Sequence, residues 1–337
     1  MSTQTDLPST QSALLLNNPG PNNTVTLTPN IPLPTLNPQK PFLVKNTYAG
    51  VNFIDTYFRS GLYPAPTLLG LEGEGRIVSI HPSYTSGEFK VGDRVAFNDS
   101  KSFAEYAATS PLRALKLPTN IPSGHGAAMV INGLTAITLA IEGFPTKKGD
   151  IVLVTAAAGG TGAILVQYLS RVIGARVIAI ASTKAKLTQA REDGAEWAFS
   201  YTDNNDWVSQ IKSIPDVTSR GGVAAIFDSV GQATFDAALD LVAPKGSLIS
   251  YGNASGVVKA FSLLKLKPAV KLSRPFLDVF VKEQHEWDRY TKELVRVVAS
   301  GDVKIRIHKV YGFQEVDKAH GDLKSRGTTG KLLLKVE

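Results

Sequence analysis

Cysteine is absent from the 337 residues. Disulfides, thiolate zinc sites and cysteine nucleophiles are excluded together. Histidine is sparse. His81, His125, His285, His308 and His320 are scattered, none three or four residues from another, so no metal site is expected. No apolar run is long enough to span a bilayer, which takes about 20 residues, and no membrane partner is expected. The stretch Met1 to Gln11 lacks a basic end, an apolar core and any arginine. It reads as neither a secretory signal nor a transit peptide, and the expected location is the cytoplasm. A concentrated charge run is lacking too. The net charge of +7 is spread along the chain, which favours anionic ligands and permits nucleic-acid binding without indicating it.

The hydrophobic fraction of 43% and charged fraction of 19% are those of an ordinary globular protein, with room for about two domains. The organising stretch begins at Ile151. Ile151 to Val154 reads as a buried strand, Ala156 to Gly162 as a turn of small residues, and the next segment as an amphipathic helix. That helix would place Ile164, Leu165, Tyr168, Leu169, Val172 and Ile173 on one side, with Gly174 as its C-cap. A second strand, Ala175 to Ala181, closes a βαβ unit. Glycines in such a turn let the backbone approach a pyrophosphate, and the helix N-terminus offers free N–H groups and partial positive charge. The spacing is Ala157-x-Gly159-x-x-Gly162, with alanine in the first glycine place. Its position between a strand and a helix is the context that makes the motif informative.

Before this unit the chain reads as an irregular β-rich region, with short strands at Ser12–Leu16, Thr24–Thr28 and Phe42–Tyr48 and a hairpin turn at Gly92-Asp93. Gly126 to Ile141 is helical, with an interruption expected at Asn132-Gly133. After the unit, strands and helices alternate as far as Gly252, which implies a parallel doubly wound sheet. The tail, with a helix over Glu283–Ser300 and strands at Lys304–Tyr311 and Lys331–Val336, reads as a return to the first domain.

The end of the second nucleotide strand selects the cofactor. An NAD site puts an acid there, roughly 20 residues past the glycines, to bind the ribose 2′-OH. Here Ala181-Ser-Thr-Lys-Ala-Lys186 has no carboxylate. The hydroxyls of Ser182 and Thr183, with Lys184 and Lys186, suit a 2′-phosphate, so NADPH is expected over NADH.

Val51-Asn-Phe-Ile-Asp-Thr-Tyr-Phe-Arg-Ser-Gly-Leu-Tyr-Pro64 closely resembles the quinone oxidoreductases of the zeta-crystallin type, zinc-free members of the medium-chain dehydrogenase/reductase superfamily. Val91-Gly-Asp-Arg-Val95, Ala156 to Gly162, Phe227-Asp-Ser-Val-Gly231, Ser250 to Gly256 and Ser273-Arg-Pro275 resemble the same family, over roughly residues 12–337. The resemblance implies an α/β protein: a GroES-like β-rich catalytic domain (1–128, resumed over 275–337) with an inserted Rossmann domain, a doubly wound parallel sheet, over 129–274. It further implies a homodimer with the nicotinamide between the domains, and the strand Gly246 to Gly252 is a reasonable edge for sheet extension across that dimer. Asn52, Asp55 and Tyr57 would lie near the nicotinamide, Tyr63 beside the substrate and Thr135 on the nicotinamide side. Ala158, Gly159, Gly160, Thr161 and Gly162 would carry the pyrophosphate, with Ser182, Thr183, Lys186 and Tyr201 at the 2′-phosphate. Ser229, Tyr251, Gly252 and Asn253 would line the cofactor path, with Arg326 and Lys331 close by and Arg274 either on the cofactor or paired with a carboxylate. Zinc-dependent relatives place a cysteine near Asn52 and a histidine near Glu72; neither stands here.

The implied reaction is hydride transfer from the nicotinamide to a quinone. The cofactor carries the chemistry and the protein positions it. Tyr57 and Tyr63 are the candidate proton donors, each also an aromatic wall for a flat substrate. The alternative within the same chemistry is reduction of the double bond of a 2-alkenal or enone. An alternative of another class is binding of AU-rich RNA, described for some zeta-crystallin-type proteins. Against it, the sequence shows no arginine-rich segment and no recognisable stacking platform.

Overall fold

The computed structural model describes residues 7–202 and 206–337. The chain forms two compact units, one of residues up to Ile131 together with Ile307–Glu337, the other Asn132–Arg306. The strands in chain order are β1 Thr10–Asn17, β2 Thr24–Pro32, β3 Phe42–Val51, β4 Glu72–Ile80, β5 Arg94–Asn98, β6 Tyr106–Thr109, β7 Ala114–Lys116, β8 Ile151–Val154, β9 Arg176–Ala181, β10 Trp197–Ser200, β11 Val223–Asp228, β12 Val242–Ser250, β13 Lys271–Ser273, β14 Ile307–Gly312 and β15 Lys331–Lys335.

In the first unit β1 and β2 pair as an antiparallel ribbon, and a seven-stranded sheet runs β14-β15-β3-β4-β5-β7 with β6 also on β3. The C-terminal strand β15 lies antiparallel on β3, Leu332 opposite Val51 and Leu334 opposite Ala49. Their side chains join Leu14, Leu16, Leu69, Phe103 and Tyr311 in one core. The chain from Ile307 on belongs to the first unit. The helix Gln284–Ala299, expected to belong to the return, stays in the second unit.

The second unit holds a six-stranded, all-parallel sheet in the order β10-β9-β8-β11-β12-β13. All of β8 and nearly all of β9 is buried, as expected of parallel strands covered by helices on both faces. The order reverses between β8 and β11, the switch point at which such sheets bind ligands beyond their carboxyl ends.

Three local expectations are corrected. The helix His125–Thr138 runs through Asn132-Gly133 without a break. A Cβ on Gly133 would come within 3.1 Å of Leu294 Cδ2 and overlap Cδ1, so the glycine makes room for a neighbour rather than ending the helix. With its following π turn this helix is long and apolar enough to cross a membrane by length and composition, but most of it is buried in the fold. The helix Gly160–Gln167 is not amphipathic, since everything from Gly162 to Gln167 is buried; Gly174 does cap the π turn that continues it, at φ 79°. Finally, Gly246 to Ser250 belongs to β12, which is not an edge. It pairs with β11 on one side and β13 on the other.

Candidate active site

The Gly-rich turn is pinned on both sides. Thr155 N donates to Phe227 O at 3.1 Å and Ala157 N to Ile180 O at 3.0 Å, so strands β11 and β9 hold it beyond the end of β8. Ala156 turns the chain in the left-handed region, at φ 48°. Gly159 caps the helix Gly160–Gln167, whose first N–H groups have no carbonyl within the helix. A Cβ on Gly162 would overlap the Ala156 carbonyl oxygen and stand 3.0 Å from its carbon. The turn closes this tightly only because residue 162 is glycine. The strained residue is Ala156, one place before the alanine that occupies the first glycine position of the motif. A left-handed alanine costs about 1–2 kcal/mol, partly offset by the entropy a glycine would lose. Ala156→Gly is accordingly expected to raise stability by about 0.5–1 kcal/mol, measured as a higher urea midpoint at unchanged slope.

Beside the turn, Asp228 is fully buried. It accepts hydrogen bonds from Thr155 Oγ1 (2.8 Å), Thr234 Oγ1 (2.7 Å), Gly231 N (3.0 Å) and Val230 N (3.2 Å). Burial pushes its carboxyl above the usual range, against those bonds, which pull it down. Around it Ser229 N donates to Thr155 Oγ1 at 3.0 Å, Tyr251 N to Asp228 O at 2.8 Å, and Ala254 N to Ser229 O at 3.1 Å. Ser229, Tyr251, Gly252 and Asn253 are thus gathered with the Gly-rich turn at the carboxyl ends of β8, β11 and β12. Burial pushes the Tyr251 phenol up, so it stays a donor. Asp228 organises this group, and in the sequence it stands out only as part of Phe227 to Gly231. Its signal is an acid ending an apolar strand.

At the end of β9, Thr183 Oγ1 accepts from Lys186 N at 3.3 Å and caps the helix Lys184–Glu192. Lys186 is half-buried, and burial lowers its ammonium's pKa. Tyr201 N donates to Ala181 O at 3.3 Å and the Thr202 hydroxyl to Ser182 O. Ser182, Thr183, Lys186 and Tyr201 therefore share one corner. Thr135 lies half-buried on the helix His125–Thr138. Arg274 is exposed just after β13, at the sheet edge opposite β10, and is not brought to the corner of Ser182, Thr183, Lys186 and Tyr201.

In the first unit, Tyr57 stands on the helix Phe53–Ser60, with Tyr63 edge-on at a centroid distance of 5.5 Å and 86° and Phe53 tilted against it at 5.5 Å and 52°. Asn52 precedes this helix. Its backbone N–H donates to Asp55 Oδ2 at 2.8 Å. Its side chain turns away, Nδ2 donating to Glu72 Oε1 at 2.7 Å and Oδ1 accepting from Lys331 Nζ at 2.6 Å. Lys331 also donates to Glu72 Oε1, and Glu72 Oε2 accepts from Ile131 N at 2.9 Å. Glu72 is 0% exposed and Lys331 3%. An ammonium thus sits buried between Asn52 and Glu72. Lys331 is committed to a buried pair, while Arg326 is exposed in a left-handed turn at φ 60°. Glu72 was missed as a site residue. Its signal is the run Glu72-Gly-Glu74, two acids at period two on one face of a strand; the second, Glu74, accepts from Gly126 N at 2.8 Å at the start of the helix His125–Thr138.

Among the described residues no group of three His, Cys, Asp or Glu side chains could hold a metal. With Glu72 bound to an ammonium and no cysteine available, the donor chemistry does not make a zinc site.

Residues 38–131 match the alcohol dehydrogenase GroES-like domain and residues 160–296 the zinc-binding dehydrogenase family. The chain is similar to a probable quinone oxidoreductase of Schizosaccharomyces pombe, 38% identical over 94% of each chain. It is similar to the solved structure of Escherichia coli quinone oxidoreductase complexed with NADPH, with TM-score 0.86 and 30% identity over 97% of this chain and 100% of that one. A 2-haloacrylate reductase from Burkholderia sp. is 30% identical, over 86% of this chain and 89% of its own.

Proposed function

Because this chain belongs to the quinone oxidoreductase family, we propose that it reduces a quinone with hydride from NADPH, and that it does so without a metal. The observation that carries the reading is the corner at the end of β9. A turn shaped for a pyrophosphate is followed by a strand end that offers hydroxyls and the half-buried Lys186 where an NAD site would offer an acid. The bound dinucleotide supplies the hydride. The residues of this chain do the rest. Backbone N–H groups of Gly160 to Gly162 take up phosphate charge, and Ser182, Thr183, Lys186 and Tyr201 hold the 2′-phosphate. Asp228 keeps the Ser229 and Tyr251–Asn253 loops in place along the adenosine and nicotinamide. Tyr57 and Tyr63 wall a flat substrate, and either Oη can donate to an oxygen that gains charge as hydride arrives. The Lys331–Glu72–Asn52 cluster fixes the start of the helix that carries Tyr57.

The test is steady-state oxidation of NADPH, with NADH as control, against an ortho-quinone, a para-quinone and a 2-alkenal. Quinone turnover with NADPH preference is expected. Turnover of the alkenal alone moves the acceptor to an activated double bond, a reading favoured by the similarity to a 2-haloacrylate reductase. Turnover of none, with NADPH bound, overturns the proposal.

The homodimer is supported by the far edge of the parallel sheet. Every residue of β13 is exposed, and so are Leu263 (73%), Leu264 (95%), Phe276 (49%) and Val279 (67%) in the segments around it. A bare edge strand beside apolar side chains invites a second copy. Light scattering is expected to give a dimer for the wild type and a monomer for Leu264→Glu; a monomeric wild type at micromolar concentration removes the inference.

A further inference from the structure

His320 is buried, 1% exposed, on the helix Val316–Lys324. Its ring meets two residues of the helix Phe53–Ser60. Arg59 Nη1 lies 2.9 Å from His320 Nδ1. A guanidinium only donates, so Nδ1 is the acceptor and the neutral ring carries its proton on Nε2. That Nε2 lies 3.9 Å from Asp55 Oδ2. Asp55 is fully buried, and its Oδ1 and His320 Nε2 both lack a hydrogen-bond partner among the described residues. The ring's N–H is therefore buried beside the Asp55 carboxylate, whose Oδ2 accepts from Asn52 N. Arg59 is itself held, by Asp317 Oδ1 at 2.7 Å and by Asn23 Oδ1 at 2.7 Å. The ring is thus fixed in orientation and tautomer by groups outside the reaction.

Asp55 and Arg59 are four residues apart and lie on one face of the helix. Tyr57 comes two residues after Asp55, about 200° further round at 100° per residue, and so lies on nearly the opposite face. Phe53 shares that face, and Tyr63 packs edge-on against Tyr57 there. A histidine bonded to Arg59 at one end of this face and seated 3.9 Å from Asp55 at the other sets the rotation of the helix about its axis, and with it the place of the aromatic wall on the other face. We propose that His320 is a positioning residue for the reaction: it pins the helix Phe53–Ser60 through Asp55 and Arg59 and so places Tyr57 and Tyr63 against the substrate. The inference rests on the proposed quinone reduction for its kinetic consequence, but its structural content does not.

The decisive variants are His320→Leu, which fills similar space without either polar contact, and His320→Gln, whose amide can accept from Arg59 and donate to Asp55. Two readouts are used. The first is the 19F spectrum of protein labelled with 3-fluorotyrosine, with Tyr57 and Tyr63 assigned from their phenylalanine variants. His320→Leu is expected to shift or broaden both resonances, and His320→Gln to restore them. The second is kinetic. An angular error in the wall is expected to lower kcat/KM for the quinone by about 10–100-fold, mainly through KM, while NADPH affinity by fluorescence stays within about two-fold, because the cofactor's phosphate sites lie in the other unit. Unmoved tyrosine resonances in His320→Leu overturn the proposal. So does failure of His320→Gln to restore them, or an equal loss of NADPH and quinone binding. If His320→Leu does not fold, Arg59→Met removes the partner of Nδ1 together with the bonds to Asp317 and Asn23 and is expected to shift the same resonances; if it leaves them in place, the proposal falls. Absent quinone turnover in the wild type would overturn the functional reading, while the 19F result would still decide the role of His320.

Discussion

Lys331→Met is expected to cost about 3–5 kcal/mol of folding stability. Methionine keeps the apolar stem and removes the ammonium. What remains is a Glu72 carboxylate with no exposure to water, still accepting from Asn52 Nδ2 and Ile131 N but without its counter-charge. The cost is that of stranding a charge, not the net worth of the pair. The double variant Glu72→Gln, Lys331→Met should therefore recover most of the loss, since no uncompensated charge is left and Gln can still accept from Ile131 N. Urea unfolding of the wild type, the two single variants and the double variant closes the cycle. A loss in Lys331→Met no larger than that of an exposed lysine, within about 0.5 kcal/mol, would show that the pair does not hold this corner of the fold.

Gly162→Ala is expected to weaken NADPH binding by about 100-fold, the order associated with a 1 Å misplacement, and to destabilise the second unit by about 1–3 kcal/mol. The added carbon meets backbone, the carbonyl of Ala156, and stands 3.1 Å from Ala157 Cα. No side chain can rotate away. The turn itself must move, and Ala157 is tied to Ile180 O on one side as Thr155 is to Phe227 O on the other. Titration of NADPH fluorescence beside a urea curve separates the two effects. Binding within about three-fold of the wild type would mean that the helix N-terminus is not where the phosphates go. The contrast with Ala156→Gly, expected to stabilise, shows how two neighbouring small residues differ. At 156 a dihedral is strained; at 162 space is missing.

Much of the second unit was legible in the sequence because its signals are short-range. The βαβ unit from Ile151 to Ala181 is announced by two apolar β-branched runs, a turn of small residues and a capping glycine, all within about 30 residues. The lack of an acid between Ala181 and Lys186 is likewise a local fact. Reading failed where a residue's type answers to something distant. Gly133 looked like a helix break and is in fact clearance for Leu294. The helix after Gly159 looked amphipathic, and is covered nearly all round because it lies within the fold. The strand near Gly246 looked like an edge because β13, a three-residue strand of exposed Lys, Leu and Ser, carries no periodic signal of its own.

By itself, then, the sequence determined the α/β class and the place of the Gly-rich turn between a strand and a helix. These follow from hydrophobic period and turn chemistry, which act between near neighbours. Only the tertiary structure decided which charges are paired. Lys331 finds Glu72 across 259 residues and Asn52 across 279, and His320 finds Arg59 across 261. The physical reason is desolvation. A charge taken out of water must be met by a partner wherever the fold brings one, and nothing in the local sequence says which strand or helix will bring it.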